Sequence, residues 1–289
     1  MRKRISEQNL FPNFNLRQEY IKIEELLSEK LVICKQLIEG IVGFDDVSLT
    51  IEDFIEATFL DWNLRGTFTS VREMRMSLGI EKNLMNSKNL TEETVLDFLQ
   101  YAANCINRVL ISDRKYRFYL INKNYPETVF ENIEALIAKL GADLNFDEAT
   151  EEYFVVYANE VSDIVSSQQP DIEFSLSEYL RIDNRHDLKR KAEILCTLYK
   201  KLESIDNKFK GSEFNGLKDD VDFLFNNTGI RHWVEDNKLA SATFNRMADD
   251  ELEGWYDNTF KLFLACMVAS SYLDVKPEIK AIKHTLRHN

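Results

Sequence analysis

The sequence predicts an all-α protein, a multi-helix bundle in which an N-terminal helical domain packs with a C-terminal four-helix domain. Three observations lead there. Apolar residues recur at three-and-four spacing along almost the whole chain, the rhythm of one face of a helix. Only 9 glycines and 4 prolines occur in 289 residues, well below average shares of roughly 7% and 5%, so the residues that break helices are scarce. Hydrophobic residues make up 44% of the chain against 29% charged, a balance that supports a core rather than disorder.

Tyr20, Ile23, Leu27, Cys34, Leu37 and Ile41 share one face of a helix expected from about residue 16 to 42, with Gly43 ending it. Thr50 and Asp53 mark the start of a second helix carrying Phe54, Ile55, Phe59 and Trp62, because a hydroxyl at the cap satisfies free backbone donors and an acid suits the positive end of the dipole. Ser70 to Leu78 forms a shorter helix closed by Gly79. Thr91 caps a long one that aligns Val95, Phe98, Leu99, Ala102, Ile106 and Val109 and ends near Tyr116. Pro126 opens the next helix and Gly141 follows its end at Leu140, the usual asymmetry of these two residues. A further helix is expected from Glu148 through Tyr153, Val156, Tyr157, Val161 and Ile164.

Ser166-Ser-Gln-Gln-Pro-Asp171, small, polar and broken by proline, is the best linker in the chain. It divides an N-terminal domain, 1–168, from a C-terminal one, 169–289. In the second domain a short segment precedes a helix from about Asp187 to Asn207, whose stripe of Leu188, Ala192, Leu195, Tyr199 and Leu202 implies packing along a partner. Leu217, Val221, Leu224 and Phe225 form another helix, stopped at Asn226-Asn-Thr-Gly229. The final helix begins near Asp249, and short connections suit a four-helix arrangement.

A formal net charge of −13 disfavours non-specific binding to nucleic acid, so an RNA partner would need a local patch. Two basic segments qualify: Arg181 to Lys201, with seven Lys or Arg against three acids, and Lys276 to Asn289, which adds His284 and His288. Their plain reading is as solvated helix faces. No apolar run reaches the roughly 20 residues of a membrane span and no signal-peptide pattern follows the basic start, so a cytoplasmic protein without membrane contact is expected. Cys34, Cys105, Cys196 and Cys266 are widely separated, which suits buried reduced thiols better than a zinc site or disulfides. In that compartment the sequons at Asn89 and Asn226 carry no sugar.

Phosphate loops, dinucleotide fingerprints, serine elbows and His-Glu-x-x-His pairs are absent from the sequence, and no histidine has a glutamate three residues before it, so no metal or other cofactor is expected. Glu253 and Asp257, four apart at the start of the last helix, read as acids suited to its dipole. Two features remain. Arg181-Ile-Asp-Asn-Arg-His186 sets an arginine, which can hold phosphate oxygens, beside a histidine, which can move protons. Asn226-Asn-Thr-Gly-Ile-Arg-His-Trp233 gathers Asn227, Arg231 and His232 in a turn between helices. The plain alternatives are that His186 merely starts a helix, and that Asn227 and Gly229 end one while Arg231 pairs with an acid such as Asp236.

The run Phe223-Leu-Phe-Asn-Asn-Thr-Gly-Ile-Arg-His232 with Glu251-Leu-Glu-Gly-Trp-Tyr-Asp257 resembles the C-terminal part of helical proteins of bacterial abortive-infection (phage-defence) systems, which in turn resemble HEPN domains. Trp62-Asn-Leu-Arg65 and Lys189-Arg-Lys-Ala-Glu-Ile-Leu195 are similar to the same group. The resemblance implies a dimeric four-helix module that cuts RNA without metal, an arginine steadying the phosphate and a histidine acting as acid or base. Arg181 and His186 have the HEPN spacing, although Ile182 stands where that pattern has a polar residue; Arg231 and His232 are adjacent and lack the spacing. On this reading His186 or His232 is catalytic with Arg181 and Arg231, while Arg185, Lys189, Arg190 and Asn227 bind RNA. The alternative is a non-catalytic helical module that binds a protein partner or senses a phage component.

Overall fold

The computed structural model describes residues 15–28, 30–35, 46–80, 90–116, 118–120, 124–231 and 243–288. The chain is all-α, with two small antiparallel sheets, and divides into two compact units, 1–158 and 159–289. The division falls ahead of the expected linker. Ser166 to Gln168 instead finish a helix, and Pro170–Ile172 form a 3-10 turn that buries Ile172 in the second unit's core. Proline at the start of a helical turn costs nothing, since its missing donor has no partner there anyway.

In the first unit, α1 (Leu16–Ser28) buries Tyr20, Ile23 and Leu27. It ends well before residue 42, because Lys30–Lys35 form β1, paired antiparallel with β2 (Asp46–Thr50) and with β3 (Phe118–Leu120). A continuous apolar run such as Leu-Val-Ile-Cys reads equally as buried helix or strand, and its β-branched pair decides for strand. Residues 36–43 of the expected helix lie outside the described residues. The cap expected at Thr50 forms in full: its hydroxyl accepts from the Asp53 N–H at 3.0 Å while Asp53 accepts from the Thr50 N–H at 3.1 Å, opening α2 (Ile51–Thr58). Such a reciprocal pair is worth about 1 kcal/mol. Ser70 caps α3 (Val71–Ser77), and Gly79 follows it at φ +68°. The central α4 (Glu92–Tyr116) packs against α1, α2 and α5 (Asn124–Lys139), and buries Phe98, Leu99 and Ile106 completely.

The second correction lies at Glu148–Tyr157. This segment is half of a hairpin, β4 (Ala142–Asp147) with β5 (Glu152–Tyr157), turning through Glu151 at φ +57°. Glu-Tyr-Phe-Val-Val-Tyr has strong strand preference, and α4 supplies what an isolated hairpin lacks. Asn104 donates to the Tyr153 carbonyl at 2.7 Å and accepts from its N–H at 2.8 Å; Gln100 accepts from the Val155 N–H at 2.6 Å, and Asn107 donates to the Glu151 carbonyl at 2.8 Å. Three amides at helical spacing thus behave as a neighbouring strand.

The second unit is helical among its described residues: α6 (Glu160–Gln168), α7 (Glu173–Tyr179), α8 (Leu188–Ser204), α9 (Asn215–Asn227) and α10 (Asp249–His288). Four of the five, α7 to α10, fall within residues 170–289. The seam expected on α8 is internal: Ala192, Leu195, Tyr199 and Leu202 are buried in the unit's core, where α8 packs on α10 and α7 and reaches α9 through the stack of Tyr199 on Phe225. No described helix is long and apolar enough to cross a membrane. Cys105 and Cys266 are buried, which pushes their thiols up to about 12; Cys196 is half-buried with its thiol on the Ile230 carbonyl at 2.7 Å. Such thiols are poor nucleophiles.

Candidate functional site

The loop between α7 and α8 carries Arg181 to His186. Ile182 is buried and pins the loop to the core, which accounts for an apolar residue between two polar ones. The Asn184 amide donates back to the Glu178 carbonyl at 2.6 Å, and Asp187 caps α8 by accepting from the Arg190 N–H at 2.8 Å. Between these anchors His186 takes a left-handed backbone, φ +65°, a conformation that histidine visits more readily than most side chains at a cost of about 1 kcal/mol.

One carboxylate holds it there. Glu253, in the first turns of α10, accepts the His186 N–H at 3.0 Å and faces Nδ1 of the same residue at 2.8 Å. The imidazole is 71% exposed and the Glu253 side chain only 10%, so the ring is gripped from below while Nε2 makes no hydrogen bond among the described residues. A carboxylate on one ring nitrogen fixes the tautomer and orientation of the ring, which is the arrangement of a general acid or base.

Beneath the histidine runs an ion network. Lys191, almost fully buried, reaches Glu253 at 2.7 Å and Asp257 at 2.8 Å, and its ammonium lies 5.2 Å from the Tyr179 ring centre. The Tyr179 hydroxyl donates to Asp257 at 2.8 Å, and its ring stacks on Phe260. Burial would raise the Glu253 carboxyl, but the Lys191 ammonium and the His186 donors outweigh it and hold the group below its ordinary range. Burial, then Asp257, pushes the Tyr179 phenol far above its ordinary range, so it stays a neutral donor. Glu253 and Asp257 are therefore the two acids of this network, beyond the dipole role read from their spacing. Neither Lys191 nor Tyr179 is conspicuous in the sequence.

The other candidates distribute differently. Arg181, partly exposed, meets Asp183 at 3.1 Å. Arg185 is half-buried and Lys189 is exposed at the start of α8. Arg190 is committed elsewhere: its guanidinium bonds Glu178 and reaches Glu193 at 3.0 Å, and these bonds raise its pKa further. Arg231 bonds the Asn226 side chain and Glu203, each at 3.3 Å, and lies over the Tyr199 ring. Asn227 donates to the Phe223 carbonyl at 2.7 Å, ending α9 before Gly229 at φ +84°. His232, with Trp233 and Asp236, lies outside the described residues. The structure thus joins His186 to Glu253 and Lys191, and places Arg231 and Asn227 on separate partners.

A cavity of about 470 Å³ in the first unit is walled by Glu52, Asp53, Glu56, Val71, Arg72, Arg75 and Met76, of which the sequence reading singles out only Asp53, and that as a helix start. Among the described residues no three metal-ligating side chains gather in one place. Comparison of the chain with protein-family models, curated proteins and solved structures finds no match.

Proposed function

We propose that the C-terminal unit is a metal-independent endoribonuclease of a phage-defence, abortive-infection system, with His186 as its acid–base residue. The observation that carries this reading is the exposed imidazole of His186 oriented by the buried Glu253 carboxylate. In the reaction, Nε2 takes the proton of a ribose 2′-hydroxyl and that oxygen attacks the adjacent phosphorus. The bond to the 5′ oxygen breaks, and this oxygen leaves with a proton from solvent, giving a cyclic phosphate and a 5′-hydroxyl end. Arg181 and Lys189 offset the charge on the phosphate, while Glu253 acts through His186 as a positioning residue. Arg190 and Arg231, whose charges carboxylates already meet, contribute little to RNA binding.

A second reading, a non-catalytic helical module for a protein partner or a phage component, is favoured by those same committed arginines and by the net charge of −13. The test is incubation of purified protein with total RNA in the presence of a chelator, beside growth of a host expressing it. Cleavage to cyclic-phosphate ends, with slowed growth, is expected of the wild type, and loss of both by at least a hundredfold in His186→Ala. Intact RNA with the wild-type protein would overturn the nuclease reading in favour of the interaction module.

A further inference from the structure

The last helix carries an apolar stripe that, among the described residues, is met by another ring only at Tyr272, where Phe214 stands edge-on at 5.8 Å. α10 is 40 residues long, and through Cys266, Met267 and Leu273 its inner face belongs to the unit's core. On the other side Val268, Tyr272, Val275, Ile279, Ile282 and Leu286 are between 38% and 74% exposed. Their spacing alternates four, three, four, three and four. That is a period of 3.5 residues held over the last five turns, the period at which two helices wound about each other keep one seam in register. Beyond Lys276 every residue whose burial is described is exposed. Pro277 falls on the side away from the stripe, where its ring does not interrupt the seam.

The charges beside the stripe select an occupant. Glu278 and Lys283 flank it on opposite sides and are five residues apart, the offset at which the flanks of two parallel helices in register meet, so each copy's Glu278 faces the other's Lys283. An antiparallel pairing would set the flank of Glu278 against the same flank of the other copy, Ser271, Glu278 and Thr285, where no lysine meets it. The usual cost of forming a short helix is already met, because α10 is folded by the core before it reaches the stripe.

We propose that residues 268–288 form a parallel coiled coil with a second copy of this chain. The seam is short, and the two copies exchange with the free chain. Analytical ultracentrifugation of the full chain at increasing concentration is expected to show a mass rising from one chain to two or more. In Ile279→Lys with Ile282→Lys the mass stays at one chain at every concentration, with an unchanged circular dichroism melt of the core, since both side chains are exposed. Glu278→Lys alone weakens association by a few fold, and adding Lys283→Glu restores it, as two exposed pairs per dimer predict. A wild-type chain that stays single overturns the proposal, and so does a double-lysine variant that still associates, which would place the contact elsewhere. Failure of Lys283→Glu to rescue overturns the parallel register. Because none of these readouts involves RNA, their failure is distinct from failure of the nuclease reading.

Discussion

Arg75 in the first unit and Lys191 in the second are each a buried cation held between two carboxylates against an aromatic ring, as is Lys218 between Asp206 and Asp222 over Tyr199, and the first two differ in what lies above them. In the first unit Arg75, 3% exposed, bonds Glu52 and reaches Glu24 at 3.1 Å, donates to the Ile80 carbonyl at 2.9 Å, and lies over Phe98 and Tyr101. In the second Lys191 sits between Glu253 and Asp257 over Tyr179, and Glu253 passes the contact outward to an exposed histidine. The guanidinium spends its donors on its own surroundings and ties α1, α2 and α3 together. The ammonium neutralises a carboxylate that still has an oxygen to offer the surface. Buried ion pairs are therefore poor markers of function by themselves; a titratable group at the open end of one is what separates a site from a strut.

The comparison can be broken most forcefully at Arg75. Arg75→Met strands Glu52 in the core without a counter-charge, and the unfolding transition of the first unit should lose about 3–5 kcal/mol in a urea titration, with the second unit's transition unmoved. A loss under 1 kcal/mol would mean the network is not what ties those helices.

Acid sharpens it at Glu253. Its folded carboxyl lies below the ordinary value of 4.5, so the stability it adds is complete above that value and is lost as the pH falls through the lower, folded one. Asp171, Asp206 and Glu213 are lowered in the same unit, so the measurement is a difference: the second unit's stability in the wild type minus that in Glu253→Gln should shrink as pH drops below about 4.5. A difference constant with pH would show that Glu253 is not ionised in the network. The smallest effect belongs to Arg231→Ala, which removes two exposed polar contacts and the guanidinium over Tyr199 and should cost about 0–1 kcal/mol and leave RNA cleavage unchanged. A large loss of cleavage would return Arg231 to the site.

How much of this could be read beforehand depends on how far each partner lies along the chain. The cap at Thr50 and Asp53, the course of α4, the start of α10 and the end of α9 at Gly229 rest on residues within a turn of each other, and they are legible from local rules. So was His186 as a polar residue at a helix entry with an arginine at a suggestive spacing. Its orienting carboxylate was not, because Glu253 is 67 positions away and looks like an ordinary acid in a first helical turn. Lys191 was hidden as one of several basic residues on α8. The strands are hidden for a different reason: the middle of β1, Leu31 to Cys34, is uninterrupted apolar sequence, and β5 depends on amides of α4, which no local pattern announces. The outer stripe of α10 was obscured by the core-facing residues interleaved with it, since Phe263, Cys266 and Met267 give a second apolar face to the same helix.

The amides that α4 lends to β5 also close an edge at which other chains could stack. Glu-Tyr-Phe-Val-Val-Tyr is short, aromatic and β-branched with a single charge, the kind of segment that stacks into cross-β fibres when its edge is free. With β4 along one edge and Gln100, Asn104 and Asn107 on the other, the strand has little backbone to offer another molecule. An all-helical neighbour here serves as a guard rail, closing the edge of a two-stranded sheet without adding a strand that would need guarding in its turn.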